Sequence, residues 1–279
     1  MFYKSNAYNT LYNNFQMKNF NLFLLTVGLL FISSYSQISF GVVGPFTASA
    51  FRCLASSVPH VTIPYVTIRA YQNSHSPPGI DPNALQTITN AFVAGFYTGI
   101  YMEICRGINA TSQINLVNSE IMTPMVTLPS AWPNHQVVIK VVPSVNPDCS
   151  WEVYAQQDNC NYLTEAVKAV KNLRWTPIIF TTYNLWNKYF GATCADFSQS
   201  TGAQLFYAIY DATGKVNSVP SFNGFVPFGG WSIAGMHITK QIGGSVLVPL
   251  LCGNKAWHAL VDEYFYWLFI TILSYLFNS

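Results

Sequence analysis

The sequence predicts an α/β fold, one barrel-like domain running from about residue 37 to residue 263, and three observations predict it. Short runs rich in β-branched and aromatic residues alternate with stretches whose apolar residues recur at helical spacing. Such alternation builds βαβ units, a parallel sheet and helices packed outside it. The chain has 279 residues with no internal repeat, low-complexity tract or linker, which suits a single large core. Charged residues make up 9% and aromatics 16%, which excludes a disordered chain. A net charge of +2 from scattered basic residues excludes a nucleic-acid footprint.

The elements follow in order. Val61 to Tyr71 reads as a strand, closed by the turn-rich NSHSPPGI. Asp81-Pro82 opens a helix, the aspartate as cap and the proline at the first helical position. Leu85, Ile88, Ala91 and Phe92 form its apolar face and Gly95 ends it. Thr98 to Cys105 is the next strand, then a mixed helical segment, then VVIKVVPS from Val137 to Ser144. That strand reads as buried on both faces, so Lys140 inside it needs a place for its ammonium. Asn161 is expected to cap a helix striped by Leu163, Val167, Val170 and Leu173. Strands at 176–183 and 203–211 flank a short helix near NLWNKYFG, and a last strand lies near Met236 to Gln241. In barrels of this type chemistry sits at the C-terminal ends of the strands.

The N-terminal region has the three parts of a secretory leader: Lys18, an apolar run from Leu22 to Ile32, and the small-flanked Ser34-Tyr35-Ser36. Residues 1–36 are therefore set apart as a leader, with Met17 as an alternative initiator, and the expected destination is extracellular or an endolysosomal or phagosomal lumen. Cys53, Cys105, Cys149, Cys160, Cys194 and Cys252 all follow that leader, which suggests three disulfides of open connectivity. Cys149 and Cys160 are close enough in sequence to bridge a loop. Asn109-Ala110-Thr111 is an acceptor sequence for N-glycosylation in an exported chain. No CxxC or paired Cys/His spacing points to a metal, the five histidines suggest no triad, and nothing indicates a cofactor.

Ten segments in sequence order carry a resemblance. They are AFRCL (50–54), VTIRAYQN (66–73), GIDPNALQTITNAFVAG (79–95), IYMEIC (100–105), TPIIFTTYNLW (176–186), LFYAIYD (205–211), SFNGFVPFGGW (221–231), ITKQIGG (238–244), LCG (251–253) and VDEYFY (261–266). Together they resemble the glycoside hydrolase family 25 lysozymes of protists and nematodes, over nearly all of 41–266. The resemblance implies a single irregular TIM-like β/α barrel with fewer helices than a regular one. It also implies bacterial peptidoglycan as partner, cut between N-acetylmuramic acid and N-acetylglucosamine.

In active members of that family the strand matching VVIKVV carries a D-x-E pair. Glycoside hydrolysis needs such carboxylates as general acid and as nucleophile or charge stabiliser. Here Lys140 and Val142 occupy those positions, no acid lies between Glu120 and Asp148, and the stretch at 41–51 holds no acid either. The remaining candidates are Glu103, Asp211 and Asp262. Each has a plainer role: Glu103 pairing with Arg106 or Arg69, Asp211 starting a turn, Asp262 tying down the terminal segment. Tyr71, Tyr101, Tyr183, Trp186, Tyr210 and Trp231 fall near strand ends, where rings could stack on sugars. The expectation is a secreted lysozyme-family protein that is catalytically impaired and binds glycan or signals, with an active hydrolase using rearranged acids as the alternative. The apolar tail from Tyr264 is too short to span a bilayer as a helix and reads as an extension, a membrane-associated tail or a buried segment.

Overall fold

The computed structural model describes residues 37–57, 65–125, 135–208, 224–233, 238–241, 246–247 and 258–264. All of them fall within one compact unit, Gln37–Trp267. The leader and tail residues 265–279 lie outside the described residues, as do Tyr210, Asp211 and Cys252.

The strands are β1 (Gln37–Val42), β2 (Tyr65–Gln72), β3 (Gly79–Ile80), β4 (Tyr97–Met102), β5 (Gln136–Lys140), β6 (Thr176–Thr181), β7 (Gln204–Ala208), β8 (Ile238–Gln241), β9 (Val246–Leu247) and β10 (His258–Tyr264). The α-helices of five or more residues are α1 (Ala48–Ser57), α2 (Ala84–Val93), α3 (Ala110–Val117), α4 (Gln156–Asn172), α5 (Tyr183–Tyr189) and α6 (Phe197–Thr201). The result is a mixed α/β protein. Strands β2, β4, β5, β6, β7 and β8 run parallel in that spatial order. The sheet curls, because β1 lies parallel to β2 while also pairing with β10, and β10 runs antiparallel to both β1 and β8. An antiparallel strand and a sparse helical layer set this sheet apart from a regular eightfold β/α barrel.

The core divides by sheet face. Alternation along β5 sends Val137, Ile139 and the following Val141 into a large cluster with Ile88, Ile114, Leu163, Val167, Val170 and Phe197 of the helices. Val138 points the other way, into a smaller cluster with Tyr101, Ile178, Phe180, Phe206 and Ala208, all strand residues, with Val142 packed against it. This second face, turned from the helices, is where the strand-end chemistry gathers.

Four local expectations are corrected. The buried face of α2 is Ala84, Thr87, Ile88 and Ala91, while Leu85 is exposed. Asp81 does turn the chain, its Oδ1 accepting from the Asn83 N–H at 2.9 Å, and the first helical residue follows at Ala84. Helix α4 begins at Gln156, five positions before Asn161, which sits exposed inside it. Its polar first turn hid the start, because buried Asn159 there serves the core as a hydrogen-bonding group. The cysteines pair Cys105–Cys149 and Cys160–Cys194, so Cys149 and Cys160 do not bridge to each other. Cys53 is also disulfide-bonded.

Candidate functional site

Lys140 ends β5, flanked on both sides by parallel neighbours β4 and β6. It stands two residues beyond Val138, on the strand-only face. Its ammonium lies 3.7 Å from the centroid of the Tyr101 ring and 5.6 Å from that of Phe180. Over an aromatic face a desolvated cation recovers roughly 0.5–2 kcal/mol, which makes a half-buried lysine here tolerable. Tyr101 is itself buried, and burial, then the Glu103 carboxylate, push its phenol well above the usual range. The platform beneath the ammonium is therefore a neutral ring.

Next to this platform Arg69 of β2 stands opposite Tyr101 in the register. Its Nε donates to Asp81 Oδ2 at 2.8 Å, and its Nη1 lies 3.8 Å from Glu103 Oε2. Asp81 is buried and tied to the Asn83 amide as well, so it is a fixed anchor for the guanidinium. Glu103, just past β4, donates its backbone N–H to Tyr71 O at 3.0 Å and presents a partly exposed carboxylate to Arg69. Its partner is thus Arg69. Arg106 instead donates Nε to Asn159 Oδ1 and stacks between Tyr154 and Tyr162.

Of the acids singled out in sequence, Glu103 is the one whose side chain is described. Asp262 lies on β10 opposite Ser39 and Gln241, and Asp211 is outside the described residues. At the described ends of β2, β4, β5 and β6 the side chains are Gln72, Asn73, Glu103, Lys140, Val142, Ser144, Thr181 and Thr182, so the acid there is Glu103. Among the described residues no group of three His, Cys, Asp or Glu could hold a metal ion. No helix among them is long and apolar enough to cross a membrane.

The aromatic expectations need redrawing. Tyr71, Trp186 and Trp231 are 1%, 1% and 0% exposed, so no sugar face can reach them. Trp186 and Trp231 stack edge to face at 4.9 Å, with Phe197 and Phe228 around them, as core under the C-terminal ends. Gly229, at φ +55°, packs where a Cβ would meet both indoles, so PFGGW serves this cluster. Tyr210 is outside the described residues. Tyr183 is 41% exposed at the start of α5. Sequence reasoning missed Tyr154, which lies in the connection after β5; a lone tyrosine in the turn WEVYA gives no periodic signal.

A curled, mainly parallel sheet with its polar residues at the strand ends, antiparallel strands β3 and β10 and an incomplete helical layer defines the class: the fold of family 25 glycosyl hydrolases. The structure of a family 25 glycosyl hydrolase from Bacillus anthracis matches at TM-score 0.54 and 14% identity, over 86% of this chain and 93% of that one. The spore cortex lytic enzyme SleM of Clostridium perfringens aligns at TM-score 0.49 and 14% identity, over 82% and 67% of the two chains. The family model described as Lysozyme-like protein 1 matches residues 33–238, and the chain belongs to that family. Lysozyme-like protein 3 of Caenorhabditis elegans is 29% identical over 177 residues, 62% of this chain. The chain spans about half (52%) of that relative's length.

Proposed function

We propose that this is a secreted lysozyme-like protein, an irregular TIM-like barrel that binds bacterial peptidoglycan and hydrolyses it little or not at all. The single observation that carries the reading is Lys140: the end of the central strand, where family chemistry requires an acid, holds an ammonium seated on Tyr101. A fixed cation there opposes the positive charge that develops on the sugar ring at the transition state. Glu103 is engaged with Arg69, and losing acid–base assistance alone removes roughly 10²–10⁴-fold in rate. Family membership supports the glycan partner, while the leader and even cysteine count support export through an oxidising lumen.

The test pairs binding with turnover. Purified protein should be retained on insoluble peptidoglycan while a bacterial cell-wall suspension keeps its turbidity. Clearing of the suspension, lost in Glu103→Gln, would restore the hydrolase reading. A gain of clearing in Lys140→Asp combined with Val142→Glu would support the replaced acids as the cause of inactivity.

A further inference from the structure

Among the described residues, the exposed Tyr, Trp and Phe side chains are Tyr154 and Tyr183, at 37% and 41%. Both sit on connections that leave the C-terminal ends of neighbouring parallel strands: Tyr154 after β5, Tyr183 immediately after β6. Each ring is braced by a neighbour. The Arg106 guanidinium carbon lies 3.9 Å from the Tyr154 centroid and 4.4 Å from that of buried Tyr162, so the cation is stacked between two rings. Arg106 is held in turn by the Nε bond to Asn159 at 2.9 Å, and its backbone belongs to the loop tied down by Cys105–Cys149. Tyr183 packs edge-on against Phe228 at 6.0 Å, and Phe228 leans on Trp186 and Trp231.

We infer that Tyr154 and Tyr183 are two sugar-stacking platforms on the connections that follow β5 and β6, and that Arg106 is the positioning residue for the first. The inference rests on the glycan-binding reading and names where on that surface the chain would lie. An aromatic ring offers an apolar face to the C–H face of a pyranose. A braced ring binds better than a free one, because immobilising a mobile side chain costs about 0.5–1.5 kcal/mol. The ligand class is a β-1,4-linked N-acetylhexosamine chain, read by its apolar faces.

Dissociation constants are to be measured for purified insoluble peptidoglycan and for a soluble β-1,4-linked N-acetylglucosamine oligomer. Tyr154→Ala and Tyr183→Ala should each weaken binding roughly 2- to 12-fold, the range for one aromatic stacking contact, with thermal midpoints near the parent's. Tyr154→Phe and Tyr183→Phe, which keep the ring, should bind like the parent. Tyr97→Ala, at the N-terminal end of β4, should also leave binding unchanged. Arg106→Gln should weaken binding with the Tyr154 ring intact. A parent that binds glycan equally well with both alanines present would overturn the platforms and leave the binding reading standing. A parent retained by neither probe would remove both.

Discussion

Replacing Asn159 by alanine tests whether a polar group in the first turns of α4 holds the strand-end loops together. Asn159 is 1% exposed. Its Oδ1 accepts from Arg106 Nε at 2.9 Å, and its Nδ2 donates to Trp151 O at 2.9 Å and Tyr189 O at 3.0 Å. One side chain thus joins the β4 loop, the β5 loop and the end of α5. Truncation leaves one charged donor and two carbonyls without these partners, and each orphaned buried group costs about 1–3 kcal/mol. Water entering the vacated space restores part, so the expected loss is about 3–5 kcal/mol rather than the sum. For a domain of this size that corresponds to a midpoint roughly 6–20 °C lower. Thermal unfolding without reductant, so that the disulfides stay closed, is the assay. Asn159→Asp keeps the acceptor for Arg106 but turns a second oxygen toward two carbonyls, and should also be destabilised. A midpoint within about 3 °C of the parent for Asn159→Ala would refute the tie.

Stability should fall at alkaline pH. Burial pushes the Tyr71 phenol up to about 12 from an ordinary value of 10.0, and raises Tyr65, Tyr101, Tyr162 and Tyr207 as well. Folded-state values above the unfolded ones mean that the stabilisation is complete below pH 10 and is lost as pH rises toward 12. Urea midpoints that stay flat while phenolate absorbance appears across that window would contradict this. Gly229→Ala forces a left-handed φ of +55° on an alanine and sets its Cβ 2.6 Å from the Trp231 ring and 2.8 Å from Trp186. A loss of about 2–5 kcal/mol is expected, read by thermal unfolding and near-ultraviolet dichroism, and an unchanged spectrum would count against the tight contact. Protein made through a eukaryotic secretory route should carry an N-glycan on Asn109, whose exposed side chain caps α3 through Oδ1 and leaves Nδ2 toward Glu165. Asn109→Asp should lose the glycan mass and keep the cap. Asn109→Gln should lose both and about 1 kcal/mol of stability, and equal masses for parent and variants would reject the modification.

The alternation of strands and helices was legible because burial on both faces leaves nearly continuous β-branched runs, as in QVVIK and TPIIFT. Lys140 was legible as an oddity in such a run. Its aromatic seat was not, since Tyr101 and Phe180 come from neighbouring strands. Sequence could not separate rings that face solvent from rings that fill the core: Trp186 and Trp231 are as aromatic as Tyr183, and only packing tells them apart. The start of α4 was missed because Gln156 and Asn159 look like loop, while their roles are long-range bonds to 106, 151 and 187–189. Disulfide connectivity likewise depends on which strand ends are neighbours. Cys105 and Cys149 follow adjacent β4 and β5, a fact of topology rather than of spacing.

Strand β10 occupies a position between β1 and β8, with Gln37 opposite Tyr264 and Asp262 opposite Gln241. During synthesis β1 can settle on β2 early, and the parallel run can grow strand by strand through β8. Both flanks of that growing sheet then present unsatisfied backbone groups until the segment 258–264 emerges and inserts between them. The first and last strands of the sheet are thus paired across more than two hundred residues of chain, a high-contact-order closure that comes late and slowly. For a nascent chain in a cell, the interval before β10 arrives is when edge-to-edge association with other chains has its opening, and chaperone occupancy should be longest there.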